Sequence, residues 1–111
     1  MRLLSAQSWL TFLGVLVALQ TSLAFARDPV AGKALAVNCA TCHGALGVSR
    51  LPNAPNLAGQ PAIYLVEQLR NYRSGKRQNE VMNVIARPLT DQQIDDLAAW
   101  YESIKFSVQE Q

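Results

Sequence analysis

Cys39-Ala40-Thr41-Cys42-His43, followed at once by Gly44, is the stretch on which the reading of this chain turns. Two thiols flank two residues, and an imidazole comes next. That order matches covalent attachment of a haem. Each thiol adds to one vinyl group of the porphyrin, and the short spacer sets the distance between the two attachment points. The histidine then lies under the iron as an axial ligand. Other chemistries share the cysteine spacing. Zinc would need two further ligands, and the sequence holds two cysteines and one histidine in all. A thioredoxin-like pair belongs with βαβ units, and no strand pattern appears. A single disulfide closing a very short loop is the remaining structural alternative.

The 111 residues suffice for one domain. Residues 1–26 read as a secretory signal peptide. Met1-Arg2 supplies the positive start, residues 10–19 form an apolar run broken by Thr11 and Gly14, and Ala24-Phe25-Ala26 is a small-residue cleavage site. An uncleaved membrane anchor is the alternative, because the uncharged stretch is long enough to span a bilayer. Residues 27–111 then form a domain small for a self-sufficient apolar core. A bound haem relieves that shortage by adding buried apolar area. The net charge of +2, without any Lys/Arg-rich block, gives no sign of nucleic-acid binding.

Helical signals dominate the rest. Asp28-Pro29 starts a first helix that is expected to run through Asn38, with Val30, Ala34 and Val37 on one face and Leu35 beside them. Gly32 would let another helix approach closely. Residues 44–59 show no periodicity and are rich in Gly, Pro and Asn, as suits a loop wrapped on a cofactor. Within it, the Pro55 carbonyl is a candidate acceptor for the second N–H of a ligand histidine, and Leu57 could pack on the ring. A helix is expected over residues 61–74, with Leu65, Leu69 and Tyr72 on one stripe flanked by Ile63 and Val66, and Gly75 ending it. Residues 76–87 read as mixed, stopped by Pro88. Thr90-Asp91-Gln92-Gln93 has the capping-box form and opens a final helix through Ile94, Leu97, Ala98, Tyr101 and Ile104. Asp91, Asp95 and Asp96 lie near its positive end. Trp100 and Tyr101 fall where it could cross the first helix.

An iron held by His43 needs a sixth ligand or an open side. Met1 departs with the leader, so Met82 is the remaining thioether, a soft donor suited to haem iron. A lone methionine is otherwise core filler, and Lys33, Lys76 and Lys105 are rival ligands.

The chain resembles the class I cytochrome c family, especially small bacterial periplasmic members and single domains of the two-haem members. The matching blocks cover residues 28–105. They include Ala31-Gly32-Lys33-Ala34 before the haem motif, Pro55-Asn56-Leu57-Ala58-Gly59-Gln60, Ser74-Gly75-Lys76-Arg77, Met82-Asn83-x-x-Ala86, and Leu97-Ala98-Ala99-Trp100-Tyr101. The resemblance implies an all-α fold wrapped around one covalent haem c, its first and last helices crossing. It implies His43 and Met82 as axial ligands, the Pro55 carbonyl bonded to His43, and no catalytic residues. It also implies electron shuttling in the periplasm between redox partner proteins, membrane-bound oxidases or dehydrogenases among them. Departures are Ala45-Leu46-Gly47-Val48, where relatives carry a more polar Asp-Gly, and Trp100, where they often have Tyr or Phe. The competing readings are a haem subunit of a larger complex and, with an open distal side, a sensor or peroxidase. A monomer is expected. Arg70, Arg73, Lys76 and Arg77 form a basic cluster that would either guide an acidic partner or simply be a solvated face.

Overall fold

The computed structural model describes residues 26–107. The leader reading rests almost wholly on residues outside them. Five helices follow one another: α1 Pro29–Leu35, α2 Ala40–His43, α3 Ala62–Ser74, α4 Glu80–Ala86 and α5 Asp91–Ser103. The described residues contain no strand, and none of their helices is long and apolar enough to cross a membrane.

Asp28 caps α1, accepting from the Val30 N–H at 2.8 Å and the Ala31 N–H at 3.3 Å. The helix ends three residues sooner than its sequence suggests. From Ala36 the chain tightens into a 3₁₀ turn, Ala36–Asn38, with the Cys39 N–H bonded back to the Ala36 carbonyl at 2.9 Å. The buried face is also not the one the larger apolar residues mark. Val30 and Val37 are 76% and 71% exposed, whereas Gly32 and Ala36 are buried. The reason is backbone proximity: α1 crosses α5 at its smallest side chains. A Cβ on Gly32 would overlap the Asp96 carbonyl and lie 2.9 Å from the Trp100 Cβ.

The first free N–H of α3, on Ala62, donates to Glu102 Oε1 of α5 at 2.8 Å. Leu65 and Val66 are buried, Leu69 packs half-buried against them, and Ile63 points out to solvent. Gly75 closes the helix in the left-handed region, φ 81°.

Helix α4 lies in the stretch that reads as mixed. Its seven residues are too few for apolar periodicity to register, and its start is set by an asparagine pair. The Asn79 side chain accepts from the Val81 and Met82 N–H groups at 3.0 and 2.9 Å. Asn83 Oδ1 accepts from the Asn79 N–H at 2.7 Å. Asn83 Nδ2 then reaches the Tyr72 and Arg77 carbonyls at 2.7 and 2.8 Å, fastening α4 to the end of α3. In α5 the capping box forms in both directions between Thr90 and Gln93, at 3.1 and 3.0 Å. Ile94, Leu97, Ala98 and Tyr101 join Ala36, Ala62, Leu65 and Val66 in one core. Asp96, in the same first turns of α5, is buried, 6% exposed.

Candidate functional site

The short helix α2 carries the motif. Cys39 precedes it, and the His43 N–H bonds the Cys39 carbonyl at 2.9 Å. Both cysteines are half-buried free thiols. Gly44, at φ 83°, turns the chain sharply away, and a Cβ there would overlap the Val48 carbonyl. The loop that follows is bonded to itself. Gly47 accepts from the Leu57 and Ala58 N–H groups at 2.7 and 3.0 Å, and Ser49 joins the Cys42 carbonyl at 2.9 Å and Asn56 Oδ1 at 2.7 Å. Those bonds bring the far arm of the loop back over α2. The Pro55 carbonyl arrives 2.8 Å from His43 Nδ1. A proton on Nδ1 donates to that oxygen, which leaves Nε2 as the nitrogen with a free lone pair. His43 is 7% exposed.

Leu57 packs against the main core cluster, half-buried. Met82 stands on a separate element, in the first turn of α4 and half-buried. Among the described residues no hydrogen bond joins α4 to the motif. The Asn79–Asn83 caps fix the backbone of the turn that carries Met82.

One neighbour of the motif went unnoticed in the sequence. Tyr101 reaches the Cys39 thiol across the fold. Burial pushes the Cys39 thiol up, and the hydrogen bond with Tyr101 partly offsets this. The Tyr101 hydroxyl is itself driven far up, first by burial and then by the adjacent thiol. Its ring lies so close to Gly47 that a Cβ there would be 2.8 Å from Cδ1. Helical spacing marks Tyr101 as core, and nothing local reveals what its hydroxyl meets.

The basic cluster is largely committed inside the molecule. Arg73 donates to the Leu89 carbonyl at 2.9 Å and to Asp91 at 2.6 Å, and Arg70 lies 3.7 Å from the same carboxylate. Arg77 stacks over the Tyr72 ring at 4.7 Å and donates to Gln68 at 2.7 Å. This favours the solvated-face reading.

The site's chemistry fits a covalent haem. Two unbridged thiols stand two residues apart beside a buried imidazole with one nitrogen committed. The loop and α4 also leave large apolar side chains uncovered: Leu46, Val48, Leu51, Val81, Val84 and Ile85 are all exposed. A large flat apolar group would cover such surface.

Comparison with known proteins agrees. The sequence pattern described as cytochrome c matches residues 29–105. Cytochrome c4 of Pseudomonas aeruginosa is 45% identical over 83 residues, covering 75% of this chain and 41% of that protein. Cytochrome c-554(548) of Halomonas halodenitrificans is 40% identical over 81 residues, covering 70% of this chain and 98% of that protein. The crystal structure of reduced recombinant cytochrome c4 from Pseudomonas stutzeri is similar with a TM-score of 0.69 at 38% identity, covering 75% of this chain and 48% of that one. The chain therefore spans less than half the length of these cytochrome c4 relatives.

Proposed function

This chain belongs to the cytochrome c family, and from that premise we propose that it is a carrier of single electrons and not an enzyme. It works in the periplasm once residues 1–26 are removed and residues 27–111 remain. Its cofactor is haem c; bound, that group supplies a one-electron couple at its iron. Cys39 and Cys42 hold it through thioethers. His43 Nε2 and the Met82 sulfur would bind its iron, the Pro55 carbonyl would fix the imidazole, and Leu57 would pack beside it.

The observation that best supports this reading is the 2.8 Å contact between His43 Nδ1 and the Pro55 carbonyl. It holds the tautomer and the ring plane, so the ligand nitrogen needs no reorientation when charge at the metal changes. Two thioethers from Cys39 and Cys42 and two protein ligands would keep water away from the iron. Its partners on this reading are redox proteins that give or accept one electron.

Redox titration of the exported holoprotein tests this. One reversible one-electron transition, with a ferrous form that leaves carbon monoxide unbound, is expected. Rapid carbon monoxide binding would contradict the closed coordination and favour a sensor or peroxidase.

A further inference from the structure

Residues 26–28 are fastened along α5. The Asp28 backbone N–H donates to Asp96 Oδ1 at 2.8 Å. The Arg27 side chain meets Asp95, with Nε 3.7 Å from Oδ1. Gln92 Nε2 donates to the Ala26 carbonyl at 3.2 Å and to Asp96 Oδ1 at 2.8 Å. Asp96 is 6% exposed, yet both of its hydrogen bonds end on one oxygen and come from neutral donors. No cation pairs with it among the described residues. The second oxygen of Asp96 carries no hydrogen bond among the described residues, which leaves it open to a charged donor that reaches this corner of the fold.

We propose that Asp96 is the docking site for the chain's own processed N-terminus: the ammonium created on Arg27 by hydrolysis of the Ala26–Arg27 bond pairs with it, while Asp95 grips the Arg27 side chain. This rests on the cleavage reading above. In the hydrolysis the Ala26 carbonyl carbon takes the hydroxyl of water and the C–N bond breaks. The Ala26 carboxyl gives up its proton, and the Arg27 nitrogen becomes an amine that is protonated at neutral pH.

The geometry needs little change. Successive backbone nitrogens lie at most about 3.7 Å apart, and the Asp28 nitrogen is 2.8 Å from Asp96 Oδ1. The Arg27 nitrogen is therefore at most roughly 6.5 Å from that oxygen, and rotation about the Arg27 backbone brings it inside the roughly 4–6 Å in which opposite charges favour each other's ionised forms. The other charged groups around it sum the same way. Asp28 caps α1 and Asp95 lies on α5. From α3, Glu67 and Arg70 share a surface groove with Arg27. Arg70 is turned partly away from it, lying 3.7 Å from Asp91, so Asp28, Asp95, Asp96 and Glu67 are the carboxylates set against Arg27. Before cleavage the Arg27 nitrogen is a neutral amide, so the charge pair forms only in the processed chain.

The test uses the exported holoprotein. Mass spectrometry fixes its first residue. The rate at which acetic anhydride acylates that amine is then followed against pH, with the peptide Arg-Asp-Pro as reference. An ordinary α-amino group titrates near 7.7–8.0. The expected result is titration at least about one unit higher, so that acylation at pH 7 is about tenfold slower than in the peptide. Asp96→Asn, whose Oδ1 still accepts from Asp28, restores the peptide rate. If that variant fails to fold, one alanine inserted ahead of Arg27 carries the amine away from an intact Asp96 and restores the rate instead. A chain that begins at Arg27 and acylates at the peptide rate overturns the docking proposal alone. A chain that begins elsewhere overturns the cleavage reading and the proposal with it.

Discussion

The two sides of this molecule are closed by different means. Where α1 crosses α5, packing does the work: Ile94 and Ala98 are 0% exposed, and backbone meets backbone at Gly32. On the side built from α2, the loop after it and α4, hydrogen bonds do the work. Gly47, Ser49, Asn79 and Asn83 hold the chain in place, while large side chains such as Leu46, Val81 and Val84 stay exposed. The first side is complete as protein. The second has polar scaffolding and uncovered apolar surface, as a domain does when its cofactor supplies part of the core.

Substitutions sharpen that contrast. The largest effect is expected at the crossing. Gly32→Val drives a side chain into a backbone carbonyl that no rotamer change can move aside, and thermal unfolding of the holoprotein should show a loss of about 3 kcal/mol or more. Ile94→Ala leaves a cavity in the fully buried core and should cost about 2–5 kcal/mol by denaturant titration. A loss under about 1 kcal/mol at either position would mean that the crossing is not the stable half. On the other side, Asn83→Ala removes one acceptor and two donor bonds that anchor α4. It should cost about 1–2 kcal/mol and disturb the spectrum of the haem more than either core variant does.

The smallest effect depends on pH. The Arg73 guanidinium beside Asp91 holds its carboxyl below the usual carboxylate range, with Arg70 adding to the pull. The folded value lies under the unfolded one, near 4. The pair's contribution is therefore full above about pH 4 and lost as pH falls through the folded value. The gap in melting temperature between wild type and Asp91→Asn should close on acidification below pH 4. Because Asp91 is exposed, that gap is small at every pH.

The same contrast explains what was legible in the sequence. The haem motif, the Asp28 cap, the Thr90–Gln93 box and the Gly75 stop are local devices, and each can be recognised within a few residues. The all-helical class was what the family resemblance implied, and the lack of any strand pattern agreed with it. On α1 the close approach at Gly32 was legible, whereas the apolar face of Val30 and Val37 was misleading, because close approach selects the smallest residues and leaves those valines outside. Helix α4 was hidden because it is short and held by asparagines, which read as loop. The burial of Asp96 and the meeting of Tyr101 with Cys39 depend on partners 68 and 62 positions away, beyond any local pattern. The hydrogen bond from His43 to Pro55 is intermediate in range. The need for an acceptor was visible in the motif, and the loop's own bonds deliver it.

The central claim is that α2 and α4 together hold one haem through His43 and Met82. The most direct measurement is the near-infrared spectrum of the ferric holoprotein beside that of Met82→Ala. The weak sulfur-to-iron band should be present in wild type and absent in the variant, with a fall in reduction potential on the order of tenths of a volt, a fraction of the roughly 0.8 V that axial ligands command. A wild-type spectrum without the band, or a band that survives in Met82→Ala, would contradict the assignment and leave α4 without its proposed role.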